Sequence, residues 1–340
     1  MKSAQRPVSV VTGAAGFIGS HLVDALLARG ESVIGIDNLA VGRRENLAAA
    51  QTSPSFRLEI GDINDQALLE TNFQGAHSIF HLAALADIVP SVENPTAYFR
   101  ANVDGTFAVV EAARKANVRR LVYAASSSCY GLAEQFPTPE TAPIAPAYPY
   151  ALTKRLGEEL VLHWAQVYNL PSVALRFFNV FGPRARTNGT YGAVFGVFLA
   201  QKRAGQPFTV VGDGSQTRDF TYVDDVVSAC IAARDSDISG ESINIGSGGT
   251  YSITQLITLL GGPVVHIPKR PGEPDCTFAD VSKARRLLNW QAQVPFEEGV
   301  RRMLATLDAY ADAPVWTPER IADATKAWFE NLAAPPRVGV

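Results

Sequence analysis

The chain has little cysteine, no excess of positive charge and no long apolar run. Its three cysteines, Cys129, Cys230 and Cys276, are odd in number, far apart and without paired metal-ligand spacing. That argues against a disulfide framework and against a zinc or other metal site, and it fits a reducing cytoplasm. Lys and Arg number 30 against 33 Asp and Glu, a formal net charge of -3, so the chain carries no basic footprint for nucleic acid. No window approaches 18 uninterrupted apolar residues, and the N-terminus runs through Arg6-Pro7 into the short stretch Val8-Ser9-Val10-Val11. Membrane spanning and export are both disfavoured. There is no internal repeat, and only Ala334-Pro335-Pro336-Arg337 resembles a loose end.

What is present is a large apolar content, 47% of 340 residues, enough for one large core or two unequal domains sharing a cleft. Apolar runs alternate with helical periods through the first half. Val8 to Val11, Ser32 to Ile36, Ser78 to Leu82, Leu121 to Ala125 and Val173 to Phe177 read as buried strands with amphipathic stretches between them. Repeated βαβ with right-handed crossovers predicts an α/β, doubly wound parallel sheet of the Rossmann type, its ligand edge at the C-terminal ends of the strands. After Phe178 the texture turns to Gly, Pro, Arg and Asn, then to a helix-rich, Pro-interrupted tail. The expected division is a dinucleotide-binding domain over 1–178 with a returning segment at about 220–250. A smaller, mixed C-terminal substrate domain would come from 179–219 and 251–340.

Glycines 13, 16 and 19 follow the first predicted strand and open a helix. The first permits a tight turn, the next let backbone approach a pyrophosphate, and the helix N-terminus faces the anion. An ordinary strand-turn-helix junction has the same glycines, so context decides. Eighteen residues after Gly19, Asp37 ends the second predicted strand, where a carboxylate accepts both adenosine ribose hydroxyls and repels a 2'-phosphate. NAD is thereby favoured over NADP; Arg43 and Arg44 nearby either soften that preference or, the reading preferred, are solvated loop charges. Asp62 is expected to end the third strand, and His81-Leu82-Ala83-Ala84 to end the fourth with small residues that let the cofactor approach. The expected cofactor site comprises Gly13, Gly16, Phe17, Ile18, Gly19, Asp37, Asn38, Asp62, Ile63, Leu82, Ala83, Ala84 and Phe177, together with Tyr150 and Lys154.

Oxidising an alcohol by hydride loss requires a base near the hydroxyl, and free tyrosine, with a pKa of about 10, is mostly protonated at neutral pH. Lys154 lies four residues after Tyr150, one helical turn along the same face, so its ammonium and the positive nicotinamide can both favour the phenolate. The same spacing also describes an ordinary surface helix pair. The serine run Ser126-Ser127-Ser128 after a buried strand favours chemistry: Ser126 would bond the reacting oxygen and relay its proton to Tyr150. Ser127 and Ser128 either bond substrate or satisfy the strand end.

With these motifs assembled, the chain resembles the extended short-chain dehydrogenase/reductase superfamily and, within it, the nucleotide-sugar epimerases of the UDP-glucose 4-epimerase type. The resemblance covers residues 8 to about 310. Its further markers are Asn102-Val103-Asp104-Gly105-Thr106, Arg176-Phe177-Phe178-Asn179-Val180-Phe181-Gly182, Arg218-Asp219-Phe220 and Asn244-Ile245-Gly246. The family implies a tightly held NAD that removes hydride from C4 of a nucleotide-bound sugar, rotation of the keto-sugar, and hydride return to the other face. It further implies that Asn179 bonds the sugar phosphates, that Arg218 and Arg270 neutralise the pyrophosphate, and that Glu273 takes the nucleotide ribose. Arg218 beside Asp219 also reads as a plain surface ion pair. Asn102 is expected to brace backbone near the site, and helices near 98–116 and 150–168 to pair with their copies in a homodimer.

Relatives that eliminate water carry Asp-Glu where this chain has Ser127 and Ser128, so a general acid for elimination is missing. Cys129 reads as a small buried residue rather than half of a Cys-His pair. Thr277 matches the family position that walls the hexose pocket; so small a side chain leaves room for an N-acetyl group, and Tyr191-Gly192-Ala193-Val194 also resembles relatives that prefer N-acetylated UDP-sugars. Two departures are Tyr148 before Pro149 and Asp87 near the sugar, which is either a pocket acid opposing a uronate or a loop carboxylate in water. The implied activity is an NAD-dependent UDP-sugar 4-epimerase. The alternatives are another nucleotide-sugar epimerase or net oxidoreductase of the superfamily and, less favoured, a non-catalytic NAD-binding regulator.

Overall fold

The computed structural model describes residues 6–186 and 193–332; Tyr191 and Gly192, and the chain after 332, lie outside the described residues. Among these residues, seven parallel strands form one sheet: β1 (Val8–Thr12), β2 (Ser32–Asp37), β3 (Phe56–Ile60), β4 (Ser78–His81), β5 (Arg120–Ser126), β6 (Ser172–Phe177) and β7 (Glu241–Ile245). Their spatial order is β7-β6-β5-β4-β1-β2-β3. The order reverses between β1 and β4, which opens a crevice at the C-terminal strand ends. Val10, Val11, Ile79, Phe80, Leu121, Ala174 and Leu175 have no exposure, as parallel strands covered on both faces require.

Four helices matter for the site: α1 (Phe17–Ala28), α2 (Gly105–Lys115), α3 (Pro149–Tyr168) and α4 (Val223–Asp235). Pro149 stands in the first turn of α3, where its missing N–H costs nothing. Asn169, in left-handed conformation, ends that helix. Helix α2 is preceded by a wide π-type turn over Arg100–Asp104, a form associated with functional sites. Here it turns Asn102 toward the segment after β4: its amide accepts from Leu85 N at 2.8 Å and donates to Leu85 O at 2.9 Å and Thr153 Oγ1 at 3.0 Å.

Short strand pairs build the mixed outer layer: Val180–Phe181 with Thr221–Tyr222, Thr217–Arg218 with Tyr251–Ser252, and Phe208–Val211 with Val264–Ile267. The pattern around Gly61 predicts a third strand running to Asp62; the strand stops at Ile60. Asp62 Oδ1 instead accepts from Asn64 N at 2.9 Å and Asn64 Nδ2 at 2.8 Å, a local turn that outcompetes the ladder.

Candidate active site

All the residues expected to bind cofactor, react or hold substrate line one cleft of about 760 Å³ at the C-terminal strand ends. Its first wall is the β1–α1 turn. Gly13 has φ +71°, and a Cβ there would stand 2.8 Å from Ala83 N. Among the described residues no side chain caps α1, so its first-turn N–H groups are left for an anion. Gly19 lines the cleft and is also demanded by packing, since a Cβ on it would lie 2.0 Å from Gly13 O. Gly19→Ala is expected to destabilise the ligand-free protein by about 1–3 kcal/mol. Differential scanning calorimetry measures this, and an unchanged midpoint would refute the contact.

Asp37 is 8% exposed; its Oδ2 accepts from Ala15 N at 2.9 Å and its Oδ1 from Leu39 N at 2.8 Å. Burial pushes this carboxyl up, against both bonds. Each oxygen keeps a second lone pair toward the cleft, which suits a diol. Asn38 Nδ2 donates to Asp62 Oδ2 at 2.8 Å, and Ile63, Leu82, Ala83, Ala84 and Phe177 complete the apolar lining. An uncapped helix start, a close-approach glycine and an acid at the end of β2 together fit a dinucleotide. Arg43 lines the cleft rather than standing in open solvent, whereas Arg44 is exposed.

Beneath this wall, His81 is fully buried, with Nδ1 2.8 Å from Thr12 Oγ1 and Nε2 2.9 Å from Thr106 Oγ1. Thr106 Oγ1 donates to Asn102 O at 2.6 Å, so it accepts from His81, which fixes the Nε2–H tautomer. Burial, with Lys154 nearby, pushes His81 down to about 3. The ring stays neutral and holds the end of β4 in place.

The reacting centre joins β5 to α3. Tyr150 OH stands 3.5 Å from Ser126 Oγ, which lies 2.8 Å from Ser128 Oγ and accepts from Ser128 N at 3.2 Å. Ser127 also faces the cleft. Tyr148 stacks on Tyr150 with centroids 6.3 Å apart, and Tyr98 meets it edge-on at 6.5 Å. Lys154 is 5% exposed, with Nζ 4.3 Å from the centroid of the Tyr123 ring. A lowered phenol is expected from Lys154 and the nicotinamide together; the protein's own burial pushes Tyr150 up, against the bond to Ser126. The same desolvation pushes Lys154 down to about 7, against the pull of Glu158. Desolvation disfavours both charged forms, so the protein alone does not create the phenolate.

Because the folded state holds Lys154 near 7 and the unfolded chain near 10.5, the unfolded chain binds more protons between those values. Stability conferred at this site therefore rises with pH across that window. The unfolding free energy of the wild type is expected to gain on that of Lys154→Met by about 1 kcal/mol per pH unit above pH 7. Urea titrations at pH 7, 8 and 9 measure it, and parallel slopes would contradict it.

The far wall carries Asn179, Arg218, Arg270, Glu273 and Thr277. Arg218 and Asp219 do not form the surface ion pair that their adjacency suggests. Both are buried: Asp219 accepts from Ser247 N at 2.6 Å and Ala279 N at 3.0 Å. Arg218 Nη2 donates to Glu273 Oε1 at 2.9 Å, and Arg270 Nε stands 2.9 Å from Glu273 Oε2. Glu273 thus sits between two guanidinium groups that can turn to an anion. Thr277 Oγ1 donates to Asn179 Oδ1 at 2.7 Å and accepts from Asp219 N at 3.1 Å, which leaves its methyl group as the only unbonded part of this small wall. Asp87 lines the cleft, is partly exposed and is paired: Oδ2 accepts from Arg186 Nη1 at 2.6 Å. That pairing weakens the electrostatic argument against a uronate. Cys129 is 1% exposed and its thiol is pushed up to about 12 by burial.

The motif reading misses a buried polar network below the site. Arg176 donates to Glu158 (Nη2 to Oε1 at 2.6 Å, Nε to Oε2 at 3.0 Å) and to Tyr130 OH at 2.7 Å; Tyr130 donates to Asn244 Oδ1 at 2.7 Å. Its signal was an arginine inside the apolar run Val173–Phe177, which a buried strand tolerates only with a partner. Among the described residues no group of three or more His, Cys, Asp or Glu is placed to hold a metal ion, and no helix is long and apolar enough to cross a membrane.

Residues 9–246 match the NAD dependent epimerase/dehydratase family. A UDP-glucose 4-epimerase of Mycolicibacterium smegmatis is 40% identical over 304 residues, 86% of this chain and 96% of that protein. Among solved structures, a UDP-N-acetylglucosamine 4-epimerase from Methanobrevibacter ruminantium, in complex with UDP-N-acetylmuramic acid, superposes with a TM-score of 0.85 at 33% identity, covering 90% of this chain and 99% of that one. A UDP-glucuronic acid 4-epimerase from Bacillus cereus, in complex with UDP-glucuronic acid and NAD, has a TM-score of 0.83 at 32% identity, covering 89% and 99%. The chain belongs to the NAD dependent epimerase/dehydratase family.

Proposed function

We propose that this member of the NAD dependent epimerase/dehydratase family is a UDP-sugar 4-epimerase that holds NAD and interconverts UDP-hexoses and UDP-N-acetylhexosamines. The observation that carries the reading is the meeting, in one cleft, of Ser126, Tyr150 and Lys154 with a dinucleotide wall on one side and Arg218, Glu273 and Arg270 on the other. NAD, when bound, supplies a cationic ring beside the phenol and a place for the C4 hydride to go and return from. Gly13, Gly16, Asp37 and the start of α1 would hold it.

Tyr150 Oη takes the proton of the C4 hydroxyl and later gives it back, with Ser126 Oγ bridging the two oxygens. Lys154 Nζ, whose charged form Glu158 favours from one turn further along α3 against the effect of burial, counters the phenolate. Asn179, Arg218 and Arg270 anchor the phosphates, so the hexose can turn while the nucleotide stays. Glu273 leaves its arginines for the nucleotide ribose. Ser127 and Ser128 offer no carboxyl to expel a hydroxyl, which favours hydride return over elimination. The Thr277 wall gives room for an N-acetyl group.

Incubating the protein with UDP-glucose, UDP-N-acetylglucosamine and UDP-glucuronic acid, then resolving C4 epimers by NMR, tests the reading. Epimers of the first two are expected without added cofactor turnover; release of NADH would instead favour net oxidation. We also propose a homodimer through the helices near 98–116 and 150–168, because Phe99, Phe107, Leu152, Val167 and Tyr168 are exposed on them. Sedimentation velocity tests that.

A further inference from the structure

We infer that Trp328, on the helix Lys326–Leu332, is a positioning residue for Arg270, and that the segment from Trp316 to Leu332 forms the outer wall of the substrate end of the cleft. This deepens the UDP-sugar reading and rests on it for the role of Arg270. The family motifs end by about residue 310. The relatives matched over 99% of their own length leave about a tenth of this chain without a counterpart.

The segment is anchored on both lips of the cleft. Ile321, 3% exposed, packs with Val211, Ile267 and Trp316 against the strand pair Phe208–Val211 and Val264–Ile267. Gln201 Nε2 donates to Trp316 O at 2.7 Å. On the opposite lip the helix Lys326–Leu332 packs against the helix Ile88–Glu93, which starts right after Asp87. Between these anchors Trp316 and Trp328 face the cleft.

Trp328 is 5% exposed and touches the 270–273 loop in two ways. Its Nε1 donates to Pro271 O at 2.6 Å, and its ring lies under the Arg270 guanidinium, with Cζ 5.3 Å from the ring centroid. Arg270 is therefore held between an indole face and the Glu273 carboxylate 2.9 Å away. When an anion draws Glu273 off, the indole still keeps the guanidinium desolvated and aimed into the cleft. An arginine held this way loses less freedom on binding than one on an unsupported loop.

The test is calorimetric titration of the full chain with inorganic pyrophosphate, UDP and NAD, in the wild type and in Trp328→Leu and Trp328→Phe. Leu keeps an apolar contact but has neither the π face nor the N–H; Phe keeps the face alone. Leu is expected to weaken pyrophosphate and UDP about five- to tenfold and Phe about two- to fourfold, with NAD affinity unchanged. KM for an accepted UDP-sugar should rise by the same factors, with kcat moving less. Wild-type affinities in either folded variant overturn the inference, as does an equal loss of NAD affinity, which would mark a merely structural role. Should Leu fail to fold, the Phe variant decides alone. If pyrophosphate binding responds as expected but no UDP-sugar is epimerised, the UDP-sugar reading fails and the positioning role stands. If the wild type binds neither pyrophosphate nor UDP, both fail.

Discussion

Tyr150→Phe is expected to lower epimerisation by about 10³-fold while leaving NAD and UDP binding within about twofold of the wild type. The substitution removes one oxygen and keeps the ring that stacks on Tyr148 at 6.3 Å, so the cleft retains its shape. What is lost is the phenol oxygen 3.5 Å from Ser126 Oγ, the group proposed to take and give the proton on the reacting side. Single-turnover rates followed by NMR, beside titrations with NAD and UDP, separate the two effects. Turnover within tenfold of the wild type would remove Tyr150 from the chemistry and, with it, the proposed mechanism. Ser126→Ala is expected to cost less, because water can replace a relay but not a positioned acid-base group.

Arg176→Leu is expected to destabilise the protein by about 3 kcal/mol, because it takes the bidentate partner from a buried carboxylate and leaves Arg155 as its remaining guanidinium. Glu158 is 0% exposed, and burial alone would push its carboxyl up. The bonds from Arg176 come first among the interactions that hold it down instead, with Ser242 Oγ at 2.8 Å and Arg155 Nη1 at 2.6 Å adding to them. Losing Arg176 removes the bidentate partner and also unpins Tyr130, which ties β5 to Asn244 on β7. Guanidinium denaturation measures the loss. The paired change Arg176→Leu with Glu158→Leu should recover more than half of it, since the buried carboxylate is then removed along with its bidentate partner. A single variant as stable as the wild type would mean that water reaches Glu158. The network also bears on the site: Glu158 lies one turn beyond Lys154 and raises its pKa against burial, so catalysis in variants that lack the carboxylate should fall off at a lower pH.

Much of the site was legible along the chain because its parts are local. A glycine turn between β1 and α1, an acid at the end of β2, and a tyrosine and lysine one helical turn apart need only the periods of strand and helix to be recognised. Other parts depend on residues that approach only in the fold. Arg218 reads as the partner of its neighbour Asp219 until the 270–273 loop brings Glu273 to 2.9 Å. Asp87 reads as an unpaired acid until Arg186, 99 positions later, reaches it at 2.6 Å. The strand expected to reach Asp62 ended at Ile60 because a side-chain turn competed with the ladder. Trp316 and Trp328 carried no motif and became part of the cleft wall only through packing.

The sequence by itself determined the doubly wound sheet, the ligand edge and the residue types at the reacting centre, since hydrophobic period and turn chemistry act over a few residues. Only the tertiary structure decided how strongly burial biases the charges of those residues. Burial raised Tyr150 and lowered Lys154 to about 7, a bias that their spacing does not reveal. A side chain's ionisation answers to the solvent and charges around it, and that surrounding is assembled from distant parts of the chain.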